Sequence, residues 1–361
     1  MSNQLIIQKD FEKDFLDILI KNKFKKCLIV ISNGNEKRGY HSSFVNLLEK
    51  NHCEFFVHQI NNYPNLVEIE KILNNFHNKD IDLILSIGGG SVIDLGKLFS
   101  SCTSNSKLND ISKLINRSHN DSIFTIAVPT TAGTGAESTK FATIWSEETK
   151  QKFSYEHENL LPEVVYLIPE FTKSLNHELT LTTMLDALCH SVDSLLNKYS
   201  NDISIELSKK AIKSISKNFT TLLENPTNME ARTEALHASN LSGRAINITR
   251  TSLNHSISYP ITNHYGLSHG LACAFSVINT IDYFRGDVSK YDFSKFLFMA
   301  SDTIKNLKLS QHFKQHLNKF DVEIISSEVL KNSRSDNFLF DINEKIVKEI
   351  LTNSKKYYLE E

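Results

Sequence analysis

Short runs of β-branched and apolar residues alternate with amphipathic stretches through the first half of the chain, and this alternation limits the possible folds more than any other feature. Cys27-Leu28-Ile29-Val30-Ile31, Phe55-Phe56-Val57, Leu83-Ile84-Leu85-Ser86-Ile87 and Phe124-Thr125-Ile126-Ala127-Val128 are of strand length. Between them lie stretches such as residues 66–76, whose apolar side chains recur at helical spacing. Strand, helix, strand alternation predicts a parallel sheet covered by helices, an architecture that binds ligands beyond the carboxyl ends of its strands.

The pattern changes after Pro169. From Leu179 onward apolar residues keep helical spacing, with few Gly or Pro interruptions until Tyr259-Pro260, so the second half is expected to be all-helical. The 361 residues suit two domains of roughly 100–200 residues each. They are expected at 1–168 and 169–361, with the boundary near 165–175.

Lys plus Arg (40) nearly balances Asp plus Glu (42), and 40% of residues are hydrophobic, which describes a soluble globular chain with no case for a nucleic-acid partner. Lys9, Asp10, Glu12, Lys13 and Asp14 precede any long apolar run, and no stretch reaches the roughly 18 apolar residues of a membrane span. No leader, no membrane association and a cytoplasmic location are therefore expected. The five cysteines, Cys27, Cys53, Cys102, Cys189 and Cys273, are scattered and never form C-x-x-C, so they are expected to be reduced and mostly buried.

Gly88-Gly89-Gly90-Ser91 follows the third strand and opens a helix near Val92. Three glycines let the backbone approach a diphosphate, and the free N–H groups and dipole of a helix N-terminus attract anionic oxygens. The same residues would also serve a bare strand-to-helix turn. Pro129-Thr130-Thr131-Ala132-Gly133-Thr134-Gly135 follows the next strand and brings small residues and hydroxyls to the same sheet edge, which favours a nucleotide.

Met184, Leu185, Leu188, Val192 and Leu195 form a helical stripe, which leaves Asp186 and His190 together, one turn apart, on the opposite face. Such a pair can share a cation, or Asp186 can merely orient a surface histidine. Downstream stand His255 and His269. One carboxylate and three imidazoles suit Fe(II), Zn(II) or Mn(II) with a position left open for a substrate oxygen. Spacing alone does not bring the two pairs together.

Read together, these stretches resemble the iron-containing (group III) alcohol dehydrogenase family. The motifs are SIGGGSVIDLGK (86–97), PTTAGTGAEST (129–139), LPEVVYLIPE (161–170), LDALCHSVDS (185–194) and H-x13-HG from His255 to Gly270, in family order across most of the chain. The resemblance implies a dehydroquinate synthase-like fold: a parallel-sheet α/β dinucleotide-binding domain, then an all-helical metal-binding domain, with the active site in a cleft and usually a homodimer. It makes Asp186, His190, His255 and His269 the metal ligands. It sets Gly88, Gly89, Gly90 and Ser91 on the pyrophosphate, Thr130, Thr131 and Thr134 along the cofactor, and Lys152 near the nicotinamide ribose. The implied chemistry is hydride transfer between a nicotinamide and a small aldehyde or alcohol whose oxygen the metal polarises.

Three departures from the family pattern bear on function. Tyr259 stands where many members carry a proton-relay histidine, which leaves Tyr259, His264, or water and the ribose hydroxyls to move the proton. Ser32 ends the strand where NAD-specific members tend to carry aspartate, and Lys37 and Arg38 are near, so both NAD and NADP stay open. Arg250, between Thr249 and Thr251, could clamp an anionic substrate group, or pair with a carboxylate at an interface.

The run from Ile246 to Gly270 is most similar to the phosphonoacetaldehyde reductase branch, which implies phosphonate metabolism. Alternatives are a general short-chain or lactaldehyde-type dehydrogenase, a sugar-phosphate cyclase, and a non-catalytic metal- or nucleotide-binding protein.

Overall fold

The computed structural model describes residues 5–7, 9–60, 65–76, 78–101, 122–145, 152–331 and 333–360, with backbone alone at 5, 7, 66, 145, 152 and 153. The chain forms two compact units. The first comprises Met1–Thr131 and Ala136–Thr172, the second Ala132–Gly135 and Lys173–Glu361. Ala132–Gly135 thus belongs with the helical unit although it follows a strand of the sheet.

The first unit contains β1 (Leu5–Ile7), α1 (Phe11–Asn22), β2 (Lys26–Ser32), α2 (Asn33–Lys37), α3 (Ser42–Lys50), β3 (Glu54–Ile60), α4 (Leu66–Phe76), β4 (Leu83–Gly88), α5 (Gly90–Ser100) and β5 (Phe124–Pro129). It continues with β6 (Phe141–Trp145), β7 (Lys152–Glu156) and β8 (Val164–Tyr166). Six strands form one sheet in the order β1-β8-β5-β4-β2-β3, parallel at every pairing.

Alternation along each strand sends successive side chains to opposite faces. Cys27, Ile29, Ile31, Leu83, Leu85 and Ile87 pack with Phe15 and Leu19 of α1 and Phe44 and Leu48 of α3. Leu28, Val30 and Ile84 pack with Ile69, Ile72 and Leu73 of α4 and with Val92, Leu95, Leu98 and Phe99 of α5. Both faces are therefore covered, and each fully buried aliphatic contributes roughly 1.5–3 kcal/mol.

β6 and β7 pair antiparallel as a separate two-stranded ribbon, an element the alternation of runs did not suggest. Lys97 of α5 ties this ribbon to the sheet. Its buried ammonium donates to Phe141 O at 2.8 Å and Thr139 Oγ1 at 3.1 Å, and faces Asp94 at 3.5 Å.

The second unit is helical: α6 (His177–Leu195), α7 (Asp202–Glu224), α8 (Met229–Thr249), α9 (Leu253–Tyr265), α10 (His269–Tyr283), α11 (Arg285–Val288), α12 (Ser294–Asn306), α13 (Ser310–His316), α14 (Val322–Val329) and α15 (Glu344–Lys355). Asn176, Asn201, Asn228 and Asn343 cap α6, α7, α8 and α15 by accepting a first-turn N–H, which explains where these helices start. Helix α6 is buried along nearly its whole length from Thr180 to Leu195, so both its apolar stripe and its polar face meet protein. Pro260 lies inside α9, which runs on to Gly266 in the left-handed region at φ 65°. Among the described residues no helix is long and apolar enough to cross a membrane.

Candidate functional site

In the sheet unit, β5, β4 and β2 are neighbours, so the loops at their carboxyl ends stand side by side. The chain runs from β2 outward to β3 and returns across β2 to β4, which makes this edge the topological switch point of the sheet. Gly88 closes β4 and Gly89 is the N-cap of α5, and no side chain caps that helix, so the N–H groups of its first residues, Gly90 and Ser91, have no side-chain cap. A Cβ at Gly88 would run into the side chain of Val92, so glycine is required for this turn to hug its helix. Thr130 N–H donates to Gly88 O at 3.0 Å, Asn35 Nδ2 donates to Thr130 Oγ1 at 3.0 Å, and Ser32 Oγ caps α2 by accepting from Asn35 N–H at 3.4 Å. These contacts join Ser32, Gly88 and Thr130 into one edge, and the methyl and hydroxyl of Thr131 lie beside Gly89. Thr134 is part of the Ala132–Gly135 segment that packs with the helical unit, where Gly133 abuts Thr183. The backbone of Lys152 is in β7; its side chain is outside the described residues.

In the helical unit, Asp186 and His190 come from α6, His255 from α9 and His269 from α10. Three Nε2 atoms converge on one carboxylate oxygen: from Asp186 Oδ1, His190 is 3.6 Å away, His255 3.5 Å and His269 3.7 Å. The approach of α10 to α6 depends on Gly270, where any Cβ would collide with the carbonyl oxygen of Thr182. Asp186, His190 and His255 are 5%, 6% and 1% exposed, so the surface-histidine alternative for His190 does not hold. The His269 side chain, 33% exposed, forms the open side.

Asp193, which the sequence reading did not single out, sits one helical turn beyond His190 and organises the rear of the cluster. Its carboxylate accepts from His255 Nδ1 at 2.8 Å, from Ser252 N–H at 2.8 Å and from Asn254 Nδ2 at 2.8 Å. The bond to Nδ1 leaves His255 Nε2 bare and turned toward Asp186. Burial pushes both carboxyls upward, yet the surrounding imidazoles outweigh it at Asp186, and bonds from His255 and Asn254 outweigh it at Asp193, so both are held below the usual carboxylate range.

Asp186 Oδ1 and His255 Nε2 are buried and make no hydrogen bond among the described residues. Leaving buried polar atoms unsatisfied costs on the order of 1–3 kcal/mol each. Their convergence is accounted for by a cation: bonds of about 2.1 Å in tetrahedral geometry set donor atoms about 3.4 Å apart. The residues present therefore fit a metal ion. Cys273, a second residue not anticipated, joins this set. Its sulfur is 3.7 Å from His269 Nε2, and its ligand atom and those of Asp186, His255 and His269 lie within 4.8 Å of one another. The signal that could have found it is its position one helical turn after His269. Burial pushes the Cys273 thiol up, with His255 pulling the other way. Cys27, Cys53, Cys189 and Cys273 are all unpaired thiols; Cys102 lies outside the described residues.

Tyr259, one turn beyond His255, lies parallel to the His269 ring at 5.8 Å. His264 does not join it. Nine residues from His255 is two and a half helical turns, which carries His264 to the far face, where it meets Glu328 at 2.8 Å with 41% of its side chain exposed. Of the three residues expected to contact substrate, Thr249 and Thr251 are buried. The Thr249 hydroxyl donates to backbone oxygens of Ala245 and Arg250 at 3.3 and 2.8 Å. Arg250 is exposed and holds φ 64°, ψ −179°, a region nearly confined to glycine that costs about 1–3 kcal/mol.

Both units can be compared with known proteins on these features. The family model described as iron-containing alcohol dehydrogenase matches residues 3–169, and the one described as Fe-containing alcohol dehydrogenase family, C-terminal, matches residues 180–330. The chain belongs to the iron-containing alcohol dehydrogenase family. This membership favours the dehydrogenases over the sugar-phosphate cyclases weighed from sequence. The phosphonoacetaldehyde reductase of Streptomyces viridochromogenes is 30% identical over 217 residues, 56% of this chain and 53% of the relative. Alcohol dehydrogenase 4 of Saccharomyces cerevisiae is 29% identical over 257 residues, 71% of this chain and 67% of the relative. The matched segment thus spans between about half and two thirds of these relatives. The crystal structure of an iron-containing alcohol dehydrogenase from Thermotoga maritima has the same fold, with a TM-score of 0.84, 22% identity and 98% coverage of both chains.

Proposed function

We propose that the chain is a metal-dependent, nicotinamide-linked aldehyde reductase or alcohol dehydrogenase acting on a small substrate. The observation that carries this reading is the convergence of three imidazole Nε2 atoms on Asp186 Oδ1 at 3.5–3.7 Å. Asp186, His190, His255 and His269 would hold Fe(II), Zn(II) or Mn(II), and Gly88–Ser91 with Thr130 and Thr131 would hold the diphosphate of NAD(H) or NADP(H). A bound cation would supply Lewis acidity toward a carbonyl or alkoxide oxygen, and the nicotinamide would supply or accept hydride.

The chain's own residues supply the remaining functions. Asp193 fixes the His255 tautomer and aims Nε2 inward. His269 borders the open side, where a small substrate can enter. Tyr259 beside it offers a hydroxyl for proton transfer, in preference to His264, which is committed to Glu328.

The finer reading is reduction of phosphonoacetaldehyde to 2-hydroxyethylphosphonate by a homodimer. The substrate is supported by the likeness to the Streptomyces viridochromogenes enzyme and by the exposed Arg250, and the homodimer is what the family resemblance implies. Ser32, which caps α2, leaves NAD and NADP both admissible.

The test is an aldehyde panel with NADH and NADPH after chelation and reconstitution with single metals, with oligomeric state read by light scattering. Stoichiometric metal and metal-dependent NAD(P)H oxidation are expected. A protein that binds metal and nucleotide yet reduces no aldehyde would be a non-catalytic relative, and one that binds no metal would overturn the reading altogether.

A further inference from the structure

Asp193 reaches His255 from the rear, and a further layer of side chains stands behind Asp193. Five donors converge on its carboxylate. They are the main-chain N–H groups of Ser252, Asn254 and His255 at 2.8, 3.3 and 3.2 Å, and the side chains of Asn254 and His255 at 2.8 Å each. Ser252 is the N-cap of α9 but its hydroxyl does not cap that helix, and the carboxylate from α6 accepts the first N–H groups instead.

Asn254 is fully buried and bonds in two directions. Its Nδ2 donates to Asp193, while its Oδ1 accepts from Ser276 Oγ at 2.7 Å and Thr280 Oγ1 at 3.2 Å. Ser276 and Thr280 are buried one turn apart on α10. Among the described residues neither hydroxyl turns back to a carbonyl of its own helix, the common partner of a helical serine or threonine. One helix therefore supplies His269 at its start and, about two and three turns on, the hydroxyls that reach toward the rear of His255.

The direction of these bonds is not free. An ionised carboxylate only accepts, so the face of Asn254 toward Asp193 must be its NH2 group. The carbonyl face then meets the two hydroxyls, and both must donate. Asp193 imposes the same condition on His255: Nδ1 carries the proton, and Nε2 keeps a lone pair toward Asp186. One consistent set of polarities thus joins α10, α9 and α6.

We propose that Asn254 is a positioning residue of the metal cluster: a buried amide, oriented by Ser276 and Thr280, that keeps Asp193 a pure acceptor and so keeps the His255 lone pair aimed at the ion. The inference rests on the metal-dependent reading above and adds a residue that acts through Asp193 and His255. An amide is required at this place. A carboxylate at 254 would set two acceptors against each other across 2.8 Å with no donor between them.

The test uses the full-length protein, metal-free and loaded with Zn(II). The variants are Asn254→Asp, the hydroxyl-deleting pair Ser276→Ala with Thr280→Val, and the exchange of Asp193→Asn with Asn254→Asp. Zn(II) affinity is read by competition with a chromophoric chelator, and the His255 tautomer by heteronuclear NMR of histidine-labelled protein, with His255→Gln assigning the signal. Asn254→Asp should weaken Zn(II) binding about 10- to 100-fold and remove the Nδ1–H signal of His255. The hydroxyl-deleting pair should weaken it about 2- to 10-fold, as expected for neutral hydrogen bonds. The exchange variant should bind more tightly than Asn254→Asp alone, because one amide again faces one carboxylate. An unaltered His255 tautomer in Asn254→Asp, or an exchange variant no better than Asn254→Asp, would overturn the proposal and reduce Asn254 to a packing residue. An Asn254-dependent tautomer in a protein that binds no metal would uphold the polarity set by Asn254 and remove the metal-dependent reading.

Discussion

In the sheet unit the groups proposed to meet a ligand are main-chain N–H groups of Gly88 to Ser91, from the end of β4 to the start of α5. In the helical unit they are side chains from α6, α9 and α10, brought together only by helix packing. On the proposed reading, the first site should tolerate side-chain change wherever a Cβ fits and fail where one does not. The second should fail when a single donor is lost, because buried groups left behind have no solvent to turn to.

Asp186→Ala should have the largest effect, since its Oδ1 is the point on which all three imidazoles converge. Aldehyde-dependent NAD(P)H oxidation should fall at least about 1000-fold and bound metal should be lost, while nucleotide affinity, read by fluorescence titration, stays near wild type. Loss of nucleotide binding as well would show that the two sites are not prepared independently. Asp193→Asn comes next. It removes the negative charge that orients His255, and metal affinity in a competition titration should fall about 10- to 100-fold. An unchanged affinity would mean the cluster is held by packing rather than by this carboxylate. Gly88→Ala probes the backbone site, where the added methyl meets Val92. Nucleotide affinity should fall by about tenfold with metal content intact, and a variant that binds nucleotide normally would refute the dependence on backbone approach.

The smallest expected effect concerns the sheet unit's stability. Burial holds the His58 imidazole below its ordinary value, with Glu68 at 3.6 Å pulling the other way. The unfolded chain takes up a proton as pH falls through about 6.5, whereas the folded unit resists until lower pH. Unfolding therefore binds a proton, and stability should decline as pH falls from 7.5 toward 5.5. Denaturant unfolding of His58→Gln should show a flatter pH dependence across this window; an equal slope would assign the decline to other groups.

The same contrast governs what could be read in advance. The parallel sheet and the glycine turn are local: β-branched runs and three glycines are contiguous, and their geometry follows from short-range sterics. The β6–β7 ribbon escaped because residues 146–151, which join its strands, carry none of the Asn-Gly or Asp-Gly pairs that mark tight hairpins. Pro260 reads as a break, yet α9 continues, since packing of Leu253, Ile257 and Ile261 outweighs one lost backbone bond. In the helical unit the residue types were legible and their meeting was not, because spacing along one helix says nothing about a neighbouring helix. His264 failed on helical phase.

The uneven exposure of the cluster bears on how an ion would come and go. Asp186, His190 and His255 are sealed, and His269 alone stands at a doorway. A cation held in such a cage would leave on the swing of one imidazole, whatever scavenger is outside. Release into excess chelator should then proceed at a rate independent of chelator concentration; a rate that climbs in proportion to it would mean a second door.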